Sequence, residues 1–305
     1  MFIPVGVEKT LNKIAPDVVF AMEYNPTILR AVHWCRKKKI PFISWTDGTL
    51  NSEKNIGKVQ RLSRSYIIKR AAAFIASSTA SREAQIAYGA DEKKCFISYL
   101  TVDIQKYLYE KPQKTTQNEG LQLLYVGSLI QRKGLDLLLP ALAKTPQNIR
   151  LWIVGEGQEK DLLQKQCTEL KISDRVEFLG YQEGEPLQKL YRTADAFVLP
   201  TREDCFGLVL LEAMCASLPI ISSKYADGAR DLVSMVKTAI SLTRKMWMVL
   251  RRQSKRLPPG IWHLSWGKRV TKRHMNFLLN RFQKVVLRHF RMYYHRNKGL
   301  VRKIS

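Results

Sequence analysis

No aspartate or glutamate follows Asp231 in this chain of 305 residues. All 26 acids lie in residues 1–231 beside 32 lysines and arginines, and residues 232–305 hold the other 19 cations. The net charge of +25 therefore covers a mildly basic body and a tail without any counter-charge. Histidine is also scarce. His33 is the only one before the tail, and it lies in a helical pattern beside Trp34, which suits a structural place better than a catalytic one. Gly6 is the only glycine before Gly48, which excludes a glycine-rich loop from that stretch. The five cysteines (Cys35, Cys95, Cys167, Cys205, Cys215) are odd in number and scattered. They form neither a disulfide ladder nor a metal-ligand spacing, so a reducing cytoplasm is the expected setting. No apolar run is long enough to cross a bilayer as a helix, and the residues after Met1 do not read as a signal peptide.

Hydrophobic residues make up 45% of the chain, enough for two ordinary cores at this length. Strands are expected at Val18–Ala21, Ile40–Trp45, Phe74–Ala76 and Cys95–Tyr99, with helices at Pro26–Cys35, Lys58–Ala72 and Ser81–Tyr88 between them. Lys111–Gly120 (KPQKTTQNEG) is polar, carries Pro and Gly, and has no apolar period, so it reads as a linker. Beyond it, strands at Leu121–Val126, Ile149–Val154, Val176–Leu179 and Ala196–Leu199 alternate with helices at Gly134–Lys144, Gln158–Leu170 and Glu185–Thr193. Such alternation indicates parallel βα units. The organisation expected is one domain over residues 1–110, the linker over 111–120, a second domain over 121–234, and a basic tail over 235–305. A doubly wound sheet in the second domain would bind ligands beyond the carboxyl ends of its strands.

Two stretches carry chemistry. The first is Thr201–Ser222, TREDCFGLVLLEAMCASLPIIS. Asp204 stands where an N-cap would be, Gly207–Ala216 is helix-forming, and Pro219 opens the β-rich Ile220-Ile221. Asp204 and Glu212 are eight positions apart, a little over two helical turns, so both are expected to project to similar sides. Glu212 interrupts an apolar helix and needs a polar partner there. A capping aspartate with a solvent-edge glutamate is the plain alternative. The second stretch is Gly127-Ser128-Leu129-Ile130-Gln131-Arg132-Lys133-Gly134, which follows a buried strand and opens a helix. Gly127 lets the backbone approach a ligand, and cations beside a helix start suit a phosphate. A solvated basic loop is the alternative here. Gly155-x-Gly157 is too short for a dinucleotide fingerprint.

The run Asp204-Cys205-Phe206-Gly207-Leu208-Val209-Leu210-Leu211-Glu212 resembles the signature of the family-4 retaining glycosyltransferases: an acid, seven residues, then Glu, with Phe-Gly just after the first acid. The resemblance implies the GT-B fold, two Rossmann-like domains with parallel sheets facing across a cleft. It implies that Asp204 faces the donor sugar hydroxyls, Glu212 the ribose, and Lys133 the donor diphosphate. These three are the expected catalytic residues. Gly127, Ser128, Arg132, Glu203, Cys205, Phe206 and Gly207 join them in the expected donor site. The sequence departs from the family in two places. The first acid is usually Glu, so Asp204 is one methylene short and Glu203 stands beside it as a substitute. Ser128 occupies a position that is often Arg, and Arg132 is placed to compensate.

The reaction implied is transfer of a sugar from a nucleoside-diphosphate sugar to an acceptor hydroxyl, with retention, in polysaccharide or glycan biosynthesis. Lys133 and the helix start at Phe206-Gly207 would stabilise the leaving diphosphate, so neither a metal nor another cofactor is expected. The partners implied are the nucleotide sugar and a glycan or lipid-linked acceptor. Peripheral association with the inner membrane face fits this set, and specific nucleic-acid binding does not. By the same resemblance, the Gly155-x-Gly157 turn and the backbone of Val176–Gly180 lie near the nucleotide. Residues 1–110 look like the latter part of an acceptor-side domain without its first strand and glycine-rich loop, so the chain reads as N-terminally incomplete.

The family pattern stops after Arg230-Asp231-Leu232-Val233. Residues 235–305 hold three tryptophans, five methionines and no steady period. One reading is a basic surface for nucleic acid or anionic membrane. The other comes from the genetic code. Because Met and Trp have single codons, a frame starting one nucleotide before Met235-Val236 forces an Asp-type codon and then Gly. In the same frame, Met246-Trp247-Met248-Val249 forces Val-Asp-Gly after such a codon. Both suit the family at this place, so a frameshift near Ser234 is the favoured expectation. A catalytically dead nucleotide-sugar-binding remnant is the other functional alternative.

Overall fold

The computed structural model describes residues 5–107, 120–236 and 240–242, in two units that meet in sequence at Leu100 and Thr101. The first unit runs α1 (Val7–Ile14), β1 (Val19–Met22), α2 (Pro26–Lys38), β2 (Phe42–Thr46), α3 (Lys58–Ile68), β3 (Ala73–Ala76), α4 (Thr79–Ala87) and β4 (Cys95–Ile97). Its strands pair in parallel in the order β1-β2-β3-β4. Local chemistry sets the helix starts. Asn25 Oδ1 accepts the Ile28 amide at 3.1 Å ahead of Pro26 at the first position of α2, and Ser78 Oγ accepts the Ser81 amide at 3.1 Å to open α4. The core gathers Val32, Trp34, Cys35, Phe42 and Ile67, with Ile68, Phe74, Ala90 and Cys95 as a second cluster. His33 lies exposed on α2, outside that core.

The second unit runs β5 (Leu121–Val126), α5 (Leu135–Ala143), β6 (Ile149–Val154), α6 (Lys160–Glu169), β7 (Val176–Gly180), α7 (Gly184–Thr193), β8 (Ala196–Leu199), α8 (Leu208–Cys215), β9 (Ile220–Ser223), α9 (Asp227–Val236) and β10 (Ile240–Leu242). All pairings are parallel, in the order β10-β9-β8-β5-β6-β7. Leu123, Leu124 and Tyr125 in β5, and all four residues of β8, are buried. Continuous apolar strands of this kind belong in a sheet covered on both faces. The chain winds from β5 to β6 and β7, then returns to β8 on the other side of β5. The switch between β5 and β8 is where such a sheet opens a crevice for a ligand.

Two elements go beyond the sequence reading. It ended the pattern at Val233, whereas α9 continues to Val236 and Ile240–Leu242 pairs with Ile221–Ser223 of β9. A strand of three residues in a stretch rich in cations leaves little periodic signal. Residues 243–305 of the basic tail, residues 237–239, and the expected linker up to residue 119 lie outside the described residues.

Arg175 anchors the end of the sheet opposite the crevice. It is buried, and its guanidinium donates to the carbonyls of Ile149 (3.0 Å) and Leu142 (3.0 Å) and to Thr145 Oγ1 (2.6 Å). Burial pulls its pKa down. An Arg175→Met change removes donors from buried carbonyls, and it also removes the cost of burying a charge. The two effects oppose, so the expected loss is about 2 kcal/mol, measurable as a lower urea midpoint.

Candidate functional site

The loops after β5, β8 and β9 are fastened to one another before any side chain is considered. Gly134 closes the β5 loop at φ 73°, and a Cβ there would lie 2.3 Å from the Pro200 carbonyl oxygen. Only glycine meets both conditions, so its backbone rests directly on the β8 loop. From that loop, the Arg202 amide donates to the Arg132 carbonyl at 2.8 Å and Thr201 Oγ1 donates to the same oxygen at 3.1 Å. Arg132 returns the contact, with Nη1 donating to the Glu203 carbonyl at 2.9 Å. Arg202 also grips both carboxylate oxygens of Asp136 on α5 at 2.6 Å each. This forked pair is geometrically specific, so Arg202 is a brace between α5 and the β8 loop. The β6 loop joins the group at Gly155, where a Cβ would lie 2.1 Å from the Gly127 carbonyl oxygen.

Asp204 is held by its backbone. Its amide donates to the Tyr225 carbonyl at 3.0 Å, and its carbonyl accepts the Asp227 amide at 2.8 Å. These contacts tie the β8 loop to the β9–α9 loop. They leave the Asp204 side chain facing the β5 loop, where Oδ2 meets Lys133 Nζ at 2.5 Å. The two side chains are 13% and 14% exposed. An ion pair of opposite charges thus stands at the β5/β8 switch.

The expected capping role of Asp204 is corrected by this geometry. Helix α8 begins at Leu208, and its N-cap is Gly207, in the left-handed region at φ 75° with no side-chain cap. Asp204 therefore lies before the helix, and the eight-residue spacing to Glu212 is not helical throughout. The two carboxylates have different partners. Glu212 Oε2 accepts the Tyr191 hydroxyl at 2.7 Å, and the Tyr107 hydroxyl also bonds to this carboxylate. Tyr191 is fully buried, stacked on Phe197 at 5.9 Å and met edge-on by Tyr107 at 5.4 Å. Burial raises the pKa of the Glu212 carboxyl, and the two tyrosine hydroxyls pull it partly back. Burial, with the nearby Glu212 charge, pushes the Cys215 thiol up to about 12.

Among the other candidates, Ser128 is exposed and its carbonyl accepts the Tyr125 hydroxyl at 3.0 Å. Phe206 is buried, and Glu203 and Cys205 are partly buried. The structure brings Gly127, Ser128, Arg132, Lys133, Glu203 and Asp204 to one end of the sheet through the contacts above. It sets Glu212 apart on α8, among tyrosines. Tyr107, Tyr191 and Asp136 were missed by the sequence reading. A glutamate in an apolar helix signals that it needs a donor, but nothing local says which residue supplies it. Among the described residues, no group of three or more His, Cys, Asp or Glu is placed to hold a metal ion.

Two α/β units with parallel sheets, the second doubly wound with its ligand-facing loops at the β5/β8 switch, define a GT-B type fold. Comparisons with known proteins point the same way. Residues 109–257 match the family of glycosyl transferases group 1, so the matched stretch continues past Ser234. The chain is 38% identical over 119 residues to an uncharacterized glycosyltransferase of Methanocaldococcus jannaschii, covering 38% of this chain and 30% of that protein. It is 28% identical over 154 residues to the lipopolysaccharide core biosynthesis glycosyltransferase LpsE of Rhizobium meliloti, covering 48% of this chain and 44% of that one. These alignments span less than half the length of either relative. Among solved structures, Anabaena HepE in complex with UDP superposes with a TM-score of 0.77 at 19% identity, over 92% of this chain and 80% of that one.

Proposed function

We propose that the second unit is the donor half of a retaining glycosyltransferase, which moves a sugar from a nucleoside-diphosphate sugar to an acceptor hydroxyl in polysaccharide or glycan biosynthesis. The observation that carries this reading is the Lys133–Asp204 pair at the topological switch. Lys133 is the one group of the pair that suits a phosphate, and a diphosphate offers it more negative charge than one carboxylate does. Donor binding would draw Nζ toward the phosphates and leave the Asp204 carboxylate for the sugar hydroxyls. The leaving diphosphate would keep the same cation, so the charge that develops on it is met by a group already in place. No metal is needed in this scheme. Glu212, one turn into α8, would accept from the ribose. The relatives support sugar transfer as the reaction class: two of them are named as glycosyltransferases, and a structural neighbour holds UDP.

The test is to incubate the purified chain with UDP-, GDP-, ADP- and CDP-sugars. Binding and nucleoside diphosphate release are measured, and the anomeric configuration of any product is read by NMR. An α-linked product from an α-linked donor supports retention, and an inverted product overturns it. Binding without turnover would mark a nucleotide-sugar-binding remnant. Binding of none of the four would sink the donor-site reading. The frameshift proposal for the tail is tested by the nucleotide sequence across codon 234.

Peripheral attachment to an anionic membrane, the remaining part of the proposal, fits α3. No acid occurs between Glu53 and Glu83, while seven cations do. Val59 and Leu62 stand 78% and 70% exposed among them. Apolar residues framed by lysine and arginine match the interface of a negatively charged bilayer, where each cation is worth about 1 kcal/mol. The chain is expected to co-sediment with phosphatidylglycerol vesicles at low salt and not with phosphatidylcholine vesicles. Val59→Ser with Leu62→Ser should weaken that binding severalfold. Equal sedimentation of the variant would remove α3 from the proposal.

A further inference from the structure

We propose that Tyr191 and Tyr107 are positioning residues that aim the Glu212 carboxylate at the ribose of the donor nucleotide. The inference rests on the proposed ribose role of Glu212. A glutamate side chain has three rotatable bonds and, on a helix of apolar neighbours, nothing in its own element to hold its carboxylate. Here the holding comes from outside α8. Tyr191 belongs to α7, and its hydroxyl reaches Glu212 Oε2 at 2.7 Å. Its ring cannot drift, because it is fully buried, stacked on Phe197 of β8 and closed from the edge by Tyr107. Tyr107 comes from the segment that precedes β5, and its own hydroxyl bonds to the same carboxylate. Two phenols from two different elements, one of them fully buried, thus converge on one flexible acid.

The chemistry suits this role. An ionised carboxylate has about four acceptor sites, so two hydroxyl donors leave capacity for the vicinal hydroxyls of a ribose. The same two donors favour the charged form, against the burial that disfavours it. Among the described residues, the groups that act on the Glu212 charge are Tyr191 on α7, Tyr107 before β5 and Cys215 on α8, with no cation among them. Without the phenols, nothing in that set would keep the acid ionised and pointed in one direction.

The experiment compares wild type, Tyr107→Phe, Tyr191→Phe and Glu212→Gln. Calorimetry measures the best-binding nucleoside diphosphate among UDP, GDP, ADP and CDP, and its 2′,3′-dideoxy counterpart. Wild type should favour the ribose form, and Glu212→Gln should abolish the preference. Each phenylalanine variant should cut the preference by about tenfold or less, while the dideoxy affinity stays unchanged. In both, the fall in ribose-form affinity on acidification should begin at higher pH, since Glu212 loses bonds that hold its pKa down. A preference kept by Glu212→Gln overturns the ribose reading itself. A preference lost in Glu212→Gln but intact in both phenylalanine variants overturns the positioning role and leaves the ribose reading standing. Equal loss for both ligands would show that the tyrosines only support the fold, which also overturns it. Should Tyr191→Phe fail to fold, the partly exposed Tyr107 carries the same test.

Discussion

Replacing Lys133 by alanine is expected to weaken nucleoside diphosphate binding about a hundredfold and nucleoside binding about twofold or less. The nucleoside lacks the group that Lys133 addresses, so the contrast between ligands isolates the phosphate contact. Two effects contribute to the loss. The charge-assisted bond to phosphate disappears, and the Asp204 carboxylate, only 13% exposed, is left facing the phosphates unpaired. At an effective dielectric of about 20, like charges near 4 Å repel by about 4 kcal/mol, so the second effect can match the first. Adding Asp204→Asn separates them. If repulsion dominates, the double variant should recover most of the affinity. If the lost bond dominates, it should stay weak. Equal losses for diphosphate and nucleoside would count against a phosphate role for Lys133.

The separate placing of Asp204 and Glu212 shows what kind of information the sequence held. Strands β5, β6 and β8 were legible to the residue, because each is a short, mainly apolar run, broken only by Gln122 in β5 and Arg150 in β6, and bounded by glycine, proline or a polar turn. The βα alternation follows from that, while the place of the switch, between β5 and β8, came only with the strand order. Helix α8 was legible from Gly207, one residue before its first helical position, but its cap was not. The Asp204 side chain gave the usual sign of a cap, while the actual cap is Gly207, with Asp204 spent on backbone contacts to Tyr225 and Asp227. Those partners lie beyond β9, and no local pattern announces them. The same holds for Glu212. Its need for a donor was legible from its apolar neighbours, but Tyr191 and Tyr107 reach it only once α7 and the segment before β5 have packed. Lys133 and Asp204 were each named as ligand-facing residues. Their pairing depends on Gly134 lying against Pro200, a contact between loops far apart in the chain. Periodicity reports burial, and short-range chemistry reports caps and turns. Neither reports which loops touch.

That contact between loops predicts the largest loss of stability. Gly134→Ala is expected to cost about 3 kcal/mol, the sum of two strains. The backbone at φ 73° disfavours any residue with a Cβ by roughly 1–2 kcal/mol. The added carbon would also lie 2.3 Å from the Pro200 carbonyl oxygen, which is backbone and cannot swing aside, so the β8 loop must move. Gly184, at the start of α7, supplies the control. It has φ 60°, and nothing lies within 4 Å of where its Cβ would be. Gly184→Ala should therefore show the backbone strain alone, about 1 kcal/mol. The difference between the two urea midpoints measures the clash. Function should part in the same way. Pushing Pro200 outward carries Thr201, Arg202 and Asp204 with it, so Gly134→Ala should also lose nucleoside diphosphate affinity, while Gly184→Ala should keep it. If the two variants lose equal stability, the β8 loop yields to the added methyl and is no rigid wall for the site. If Gly134→Ala is unstable yet binds at full strength, the registration of Lys133 against Asp204 does not depend on this contact, and the site must be held from the β9 side, through Tyr225 and Asp227.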